Sequence, residues 1–238
     1  MLSDKSSFFE DGRVLLFNKP LYWTAFDLVN KVRIMIRDVT GRKNLKVGHA
    51  GTLDPLASGL MIICTGKATK SIDGYRDLDK EYIASIRFGA TTQSYDLETE
   101  ISGDFPVGHI TEDLLRATLR KFLGGQEQVP PLHSAKMING KRAYEYARKG
   151  IDKELAPVTV FFREIELLSF DVPESVVRVL CSKGTYIRTF ASDLGKAVGS
   201  GAYLSSLERT AIGDFSVKNA YTLENFKIFL EDLKQNQI

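Results

Sequence analysis

Two hydrophobic periods run through the chain. In EYIASIRFG, Tyr82, Ala84, Ile86 and Phe88 occupy alternate positions, the spacing of a half-buried strand. In TAFDLVNKVRIMIRDV, Phe26, Leu28, Val29, Val32 and Ile36 recur near the helical period behind a Thr24 N-cap, which predicts an amphipathic helix. RVLLFNKP reads as a strand ending at Pro20, and LMIICTG as a short, fully buried one. TEDLLRATLRKFLG is a helix capped by Thr111 and stopped by Gly124. Pro130-Pro131 interrupts regular structure, and a short helix from about Arg142 to Lys149 follows a loop. PVTVFFREIELLSF and SVVRVLCS are two further strands, TYIRTFASDLGKAVG and LENFKIFLEDLKQ two further helices. Strands and helices mix without strict βαβ alternation, which predicts an α+β fold, a sheet with helices packed on it. No linker marks a boundary, so a single domain over residues 1–238 is expected.

Composition changes this picture little. A hydrophobic fraction of 43% is ordinary for a globular chain, and 32 basic against 30 acidic residues leave a net charge of +2. Bulk charge therefore announces no nucleic-acid partner, but its distribution is uneven. Between His133 and Lys153 six cations (Lys136, Lys141, Arg142, Arg148, Lys149, Lys153) face two acids (Glu145, Asp152), with Tyr144 and Tyr146 interleaved. Such a stretch is either a solvated helix face or a grip for phosphates and bases. Cys64 and Cys181 lie far apart in apolar strands and read as buried free thiols of a reducing compartment. The three histidines show no metal-ligand spacing, so no metal is expected. The polar, acidic N-terminus is unlike a signal peptide, and no apolar run approaches membrane-spanning length. A cytoplasmic protein is expected.

The segment GHAGTLDPLASG, residues 48–59, carries one carboxylate in a stiff setting of glycines and small residues. By itself it reads as a helix start, with Asp54 as N-cap, Pro55 at N1 and Gly59 ending a single turn. Other motifs fail. CTGKATK lacks the first glycine and the Ser/Thr of a phosphate loop, and GSGAYL lacks the third glycine of a dinucleotide fingerprint. No cofactor motif remains, and no second carboxylate near Asp54 completes a glycosidase pair.

Four segments in collinear order carry a different pattern: NKP at 18–20, GHAGTLDPLASG, DKEY at 79–82 and CSKGTYIRT at 181–189. Together, from about Arg13 to Phe215, they resemble the TruB family, the bacterial tRNA pseudouridine-55 synthases. QVPPLHSAKMINGKRAYEYARKG is similar to that family's inserted thumb, placed here at about residues 127–155. The resemblance implies the pseudouridine synthase fold, with a mixed, mostly antiparallel sheet. It also implies a stand-alone isomerase, without cofactor or obligate protein partner and expected as a monomer, acting on uridine in the T loop of tRNA.

The resemblance further implies residue roles. Asp54 is the catalytic aspartate and Arg188 its charge partner. Tyr82 stacks on the flipped base, Tyr186 is a second ring of the base pocket and Leu207 part of its wall. His49 replaces the target base in the RNA stack, and Lys19 with Pro20 braces the active-site loop. Lys141 and Arg142 of the thumb hold RNA. The chemistry explains these residue types. Breaking C1′–N1 and rejoining the uracil through C5 needs no redox change, and a guanidinium beside the acid keeps it ionised and oriented. Whether the carboxylate acts on the sugar or on the base stays open. Extruding a base needs an aromatic platform and a group to fill the gap.

Departures from the family pattern are Ala50 at a usual Thr, Met137 at a usual Lys and Glu208 at a usual Arg. Longer members continue into a PUA domain that touches the acceptor stem. Its absence here predicts that an isolated T-arm hairpin serves about as well as whole tRNA. Rival readings are a tRNA-folding chaperone, to which Asp54 matters little, and a relative that modifies another RNA.

Overall fold

The structure, a computed structural model, describes residues 5–235 apart from 135, 139, 152 and 154. Asp152, one of the two acids in the basic stretch, lies outside the described residues. The chain folds into two compact units. One comprises the described residues up to Lys80 and from Glu208 onward; the other runs from Glu81 to Leu207.

In the first unit the strand Val14–Lys19 pairs antiparallel with Ala57–Thr65, in register from Val14 opposite Cys64 to Lys19 opposite Gly59. Strand Val47–His49 pairs antiparallel with the end of Ala57–Thr65, and Phe17 makes a parallel bridge to Tyr221. The long apolar run LMIICT is buried throughout, as its unbroken hydrophobicity requires. Helix Ala25–Thr40 starts at the expected Thr24 cap. The Thr24 hydroxyl accepts from the Asp27 amide, the Asp27 carboxylate accepts from the Thr24 amide, and Gly41 closes the helix in the left-handed region. Its buried face is Ala25, Leu28, Val29, Val32 and Ile36. Phe26 does not belong to it, contrary to expectation. It lies about 100° around the helix from Ala25 and is exposed. The closing helix Leu223–Gln235 packs on this helix and buries Phe226, which meets the Phe17 ring at 4.9 Å.

In the second unit strand Lys80–Phe88 has the expected alternation, with Tyr82, Ala84, Ile86 and Phe88 inward. Beyond it in the sheet come Glu174–Cys181, Val158–Asp171 and Gly124–Gln128. The last two interfaces of this series are antiparallel. Asp96 makes a parallel bridge to Leu204, so the sheet is mixed but mostly antiparallel. Helix Ile187–Ala197 covers it, and Phe190 packs at 5.2 Å from Phe122 and 5.1 Å from Phe162. Full burial of Phe162 and Phe190 contributes about 1.5–3 kcal/mol each. Helix Glu112–Lys121 keeps its Thr111 cap but ends before Gly124, which instead opens a strand at φ +88°.

Strand Ala202–Ile212 carries the chain from the second unit into the first. Cys64 and Cys181 are buried free thiols. Among the described residues no helix is long and apolar enough to cross a membrane, and no group of three or more His, Cys, Asp or Glu is placed to hold a metal ion.

Candidate active site

In the first unit the segment 48–59 runs from the end of one strand through a turn into the next and is not a helix start, which corrects the first reading of Asp54-Pro55. The Asp54 carbonyl accepts from the Ala57 amide at 3.1 Å, and the chain enters strand Ala57–Thr65 at once. Asp at the first and Pro at the second position suit such a turn as well as they suit a helix cap. A helix would also have placed the continuous run 60–65 on a rotating face, whereas a strand buries all of it. The Asp54 side chain is half-buried between buried Leu53 and exposed Pro55.

Both ends of this loop are tied to one side chain that sequence reasoning missed. Arg209, 2% exposed, donates from Nε to the Leu60 carbonyl at 2.7 Å and from Nη1 to the Thr52 carbonyl at 3.2 Å. Its main chain passes so close to Gly59 that a Cβ there would lie 2.3 Å from the Arg209 carbonyl oxygen. At φ +109° Gly59 also needs the freedom that only glycine has. Arg209 sits in SSLERTAIGD, a polar stretch with no strand-like alternation to mark it as buried.

Lys19 braces the same region from the other side. Fully buried, its Nζ donates to the carbonyls of Pro20 at 2.9 Å and Trp23 at 2.7 Å, and the Tyr22 amide donates to the Pro55 carbonyl at 2.7 Å. Lys19 thus fixes the turn 20–23, and that turn holds the residue after Asp54. Burial pulls the Lys19 pKa down to about 8 from 10.5; the charge of Asp54 opposes this, and that of Arg209 adds to it. The sign for stability follows. From about pH 8 to 10.5 the unfolded chain holds a proton at Lys19 that the folded chain has lost, so this site's contribution rises with pH over that window and is least favourable below it. Compared with Lys19→Met, the wild-type chain is expected to gain in urea midpoint as pH is raised from 8 towards 10.5. A difference that stays flat over that range would refute the buried cation.

His49 ends strand Val47–His49 and is half-buried; among the described residues its Nδ1 has no hydrogen-bond partner. Burial lowers its pKa, so the ring is neutral near pH 7. A neutral flat ring suits stacking.

In the second unit Tyr82 is 8% exposed on its strand and Leu207 is buried near the end of that unit. Tyr186 is the N-cap of helix Ile187–Ala197 and not part of it. Buried Gln128 pins its backbone from both sides, accepting from the Tyr186 amide at 2.8 Å and donating to its carbonyl at 3.0 Å. Gln128 belongs to GGQEQ, whose strand has no apolar pattern to announce it. Arg188, 4% exposed, lies 3.6 Å from the carboxylate of buried Asp96 and donates to the Ser94 carbonyl at 3.4 Å. Asp96 is a partner that no spacing in the sequence reveals.

In the segment likened to the family's thumb, the described residues include a two-residue strand pairing. Met137 and Ile138 pair with Arg142 and Lys141, Gly140 turns the chain at φ +80°, and helix Ala143–Ala147 follows. Lys141 and Arg142 are exposed, and the Arg148 guanidinium lies over the Tyr144 ring at 5.1 Å.

Solved structures share this architecture. The protein is similar to a chain in a crystal structure of a Cbf5-Nop10-Gar1 complex, with a TM-score of 0.73 and 26% identity over 98% of this chain and 59% of that one. The same fold recurs, at 24% identity and TM-score 0.70, in an H/ACA ribonucleoprotein bound to a substrate RNA containing 2′-deoxyuridine, covering 98% of this chain and 57% of that one. This chain thus spans somewhat over half the length of those two. The architecture is the α+β pseudouridine synthase fold.

Residues 37–187 match the model of the TruB family pseudouridylate synthase (N terminal domain), and the chain belongs to that family. It is 51% identical to the tRNA pseudouridine synthase B of Phocaeicola vulgatus over 97% of this chain and 98% of that protein. It is 54% identical to the protein of the same name from Bacteroides thetaiotaomicron, over 94% and 95%.

Proposed function

We propose that the chain converts uridine to pseudouridine at position 55 in the T loop of tRNA, with Asp54 as the catalytic carboxylate. The observation that carries this reading is the holding of Asp54. Its turn is tied by Arg209 at Thr52 and Leu60, and by the Lys19-braced turn at Pro55. A carboxylate fixed in this way spends little entropy in reaching its reactive geometry. The near full-length relatives named tRNA pseudouridine synthase B support tRNA as the substrate.

The reaction is an isomerisation. The C1′–N1 bond breaks, the freed uracil turns, and C1′ bonds to C5; C5 gives up a proton and N1 ends with one. Asp54 can serve by adding to the sugar or the base, or by taking the sugar proton. Arg188 is assigned as the charge partner of that carboxylate. Tyr82 and Tyr186 take the extruded uracil with Leu207 as wall, His49 fills the gap left in the RNA stack, and Lys19 holds the loop. The test is to map pseudouridine in tRNA from cells with and without this protein. Loss confined to position 55 is expected, and an unchanged position 55 would refute the reading.

Lys141 and Arg142 are assigned to phosphate contacts. Reversing the charge of Lys141, Arg142 and Lys149 should weaken tRNA binding and flatten its salt dependence by about one unit of log–log slope per lost contact. Filter binding over a salt series measures this. An unchanged slope would return the stretch to a solvated face.

A further inference from the structure

We propose that the groove of about 370 Å³ lined by Tyr22, Trp23, Asp27, Asn30, Lys31 and Ile34 is a second base subsite, which takes an unpaired base of the RNA presented to Asp54. The proposal rests on the functional reading above and adds a contact to it.

Tyr22 has φ +65°, a left-handed conformation rare for a bulky side chain, and the residue is 78% exposed. Packing explains neither fact, and strain held in place by its surroundings marks functional positions. The surroundings here are specific. Buried Lys19 grips the carbonyls on both sides of Tyr22, at Pro20 and Trp23, and the Tyr22 amide is bonded to Pro55 beside Asp54. The groove is therefore built onto the turn that is bonded to the loop of the proposed catalytic acid.

Its lining selects the occupant. Two aromatic rings and Ile34 offer flat apolar surface, while Asn30 and Lys31 offer donors for a base edge. The volume is that of a small-ligand cleft, roughly 300–1,000 Å³. The Asp27 carboxylate is engaged by the Thr24 hydroxyl and amide, which hold its pKa low and keep it anionic. Beside Lys31 this anion leaves the lining without net positive charge, so a phosphate gains little there and a neutral base is the better occupant.

Trp23 is the only tryptophan of the chain, so its fluorescence reports this groove directly. Titrating unmodified tRNA transcript into the wild-type protein should quench it, whereas a fully paired RNA duplex should not. Tyr22→Gly relieves the backbone and removes the ring. It is expected to lose most of the quench and to weaken tRNA binding about tenfold, within the range of one stacked base; Tyr22→Phe restores both. A Trp23 signal that ignores saturating tRNA, an equal quench by duplex, or a wild-type quench in Tyr22→Gly would each overturn the subsite. Quenching by tRNA without any pseudouridine formed would instead overturn the functional reading and leave the subsite standing.

Discussion

Asp54→Asn is expected to abolish measurable pseudouridine formation, a loss of about 10⁴-fold in turnover, the upper end of what one positioned acid–base group contributes, while tRNA affinity stays within a few-fold of wild type. The change is nearly isosteric and leaves the turn intact, because that turn is made by main-chain groups. The Asp54 carbonyl accepts from Ala57, and the Pro55 carbonyl accepts from Tyr22. Affinity rests mostly on phosphate contacts, which a single neutralised carboxylate does not touch. Single-turnover assays with measured tRNA binding separate the two effects. The Asn protein carries an internal control as well. Asp54 opposes the burial that depresses Lys19, so its removal should push the Lys19 pKa further below 8. Multiple turnover in a clean Asn preparation would refute the catalytic assignment.

What the chain disclosed in advance follows from the physics of each element. Strand Lys80–Phe88 was legible because one face is buried and the other is not, so alternation survives in the residues. Helix Ala25–Thr40 was legible through its cap and stripe, although periodicity drew in the exposed Phe26. Asp54-Pro55 was locally ambiguous because turn and helix cap favour the same residues, and only the strand that follows decides between them. The supports of the site were not legible. Arg209 and Gln128 are polar side chains buried by bonds to main-chain groups distant in sequence, and Asp96 meets Arg188 in the same way. Each is placed by tertiary structure alone.

Arg188→Met, compared with Asp96→Asn/Arg188→Met, separates catalytic from structural support. Arg188 and Asp96 form a nearly buried pair, with side chains 5% and 7% exposed. Removing the cation alone strands a buried carboxylate, an effect of about 3–5 kcal/mol on stability. The assignment of Arg188 to Asp54 adds a second effect, a fall in turnover of about 10²–10³-fold from lost electrostatic support. The single variant confounds the two, but Asp96→Asn/Arg188→Met does not. Asn leaves no unpaired charge and keeps an oxygen for the Glu98 amide, which Asp96 Oδ1 now accepts at 3.0 Å. Urea unfolding should show most of the lost stability restored in the double variant, because both charges leave together. Turnover should stay as low as in Arg188→Met, because the cation assigned to Asp54 is still missing. If activity returned along with stability, Arg188 would be a structural partner of Asp96, and the electrostatic support of Asp54 would fall to other groups, with Lys19 the first to test.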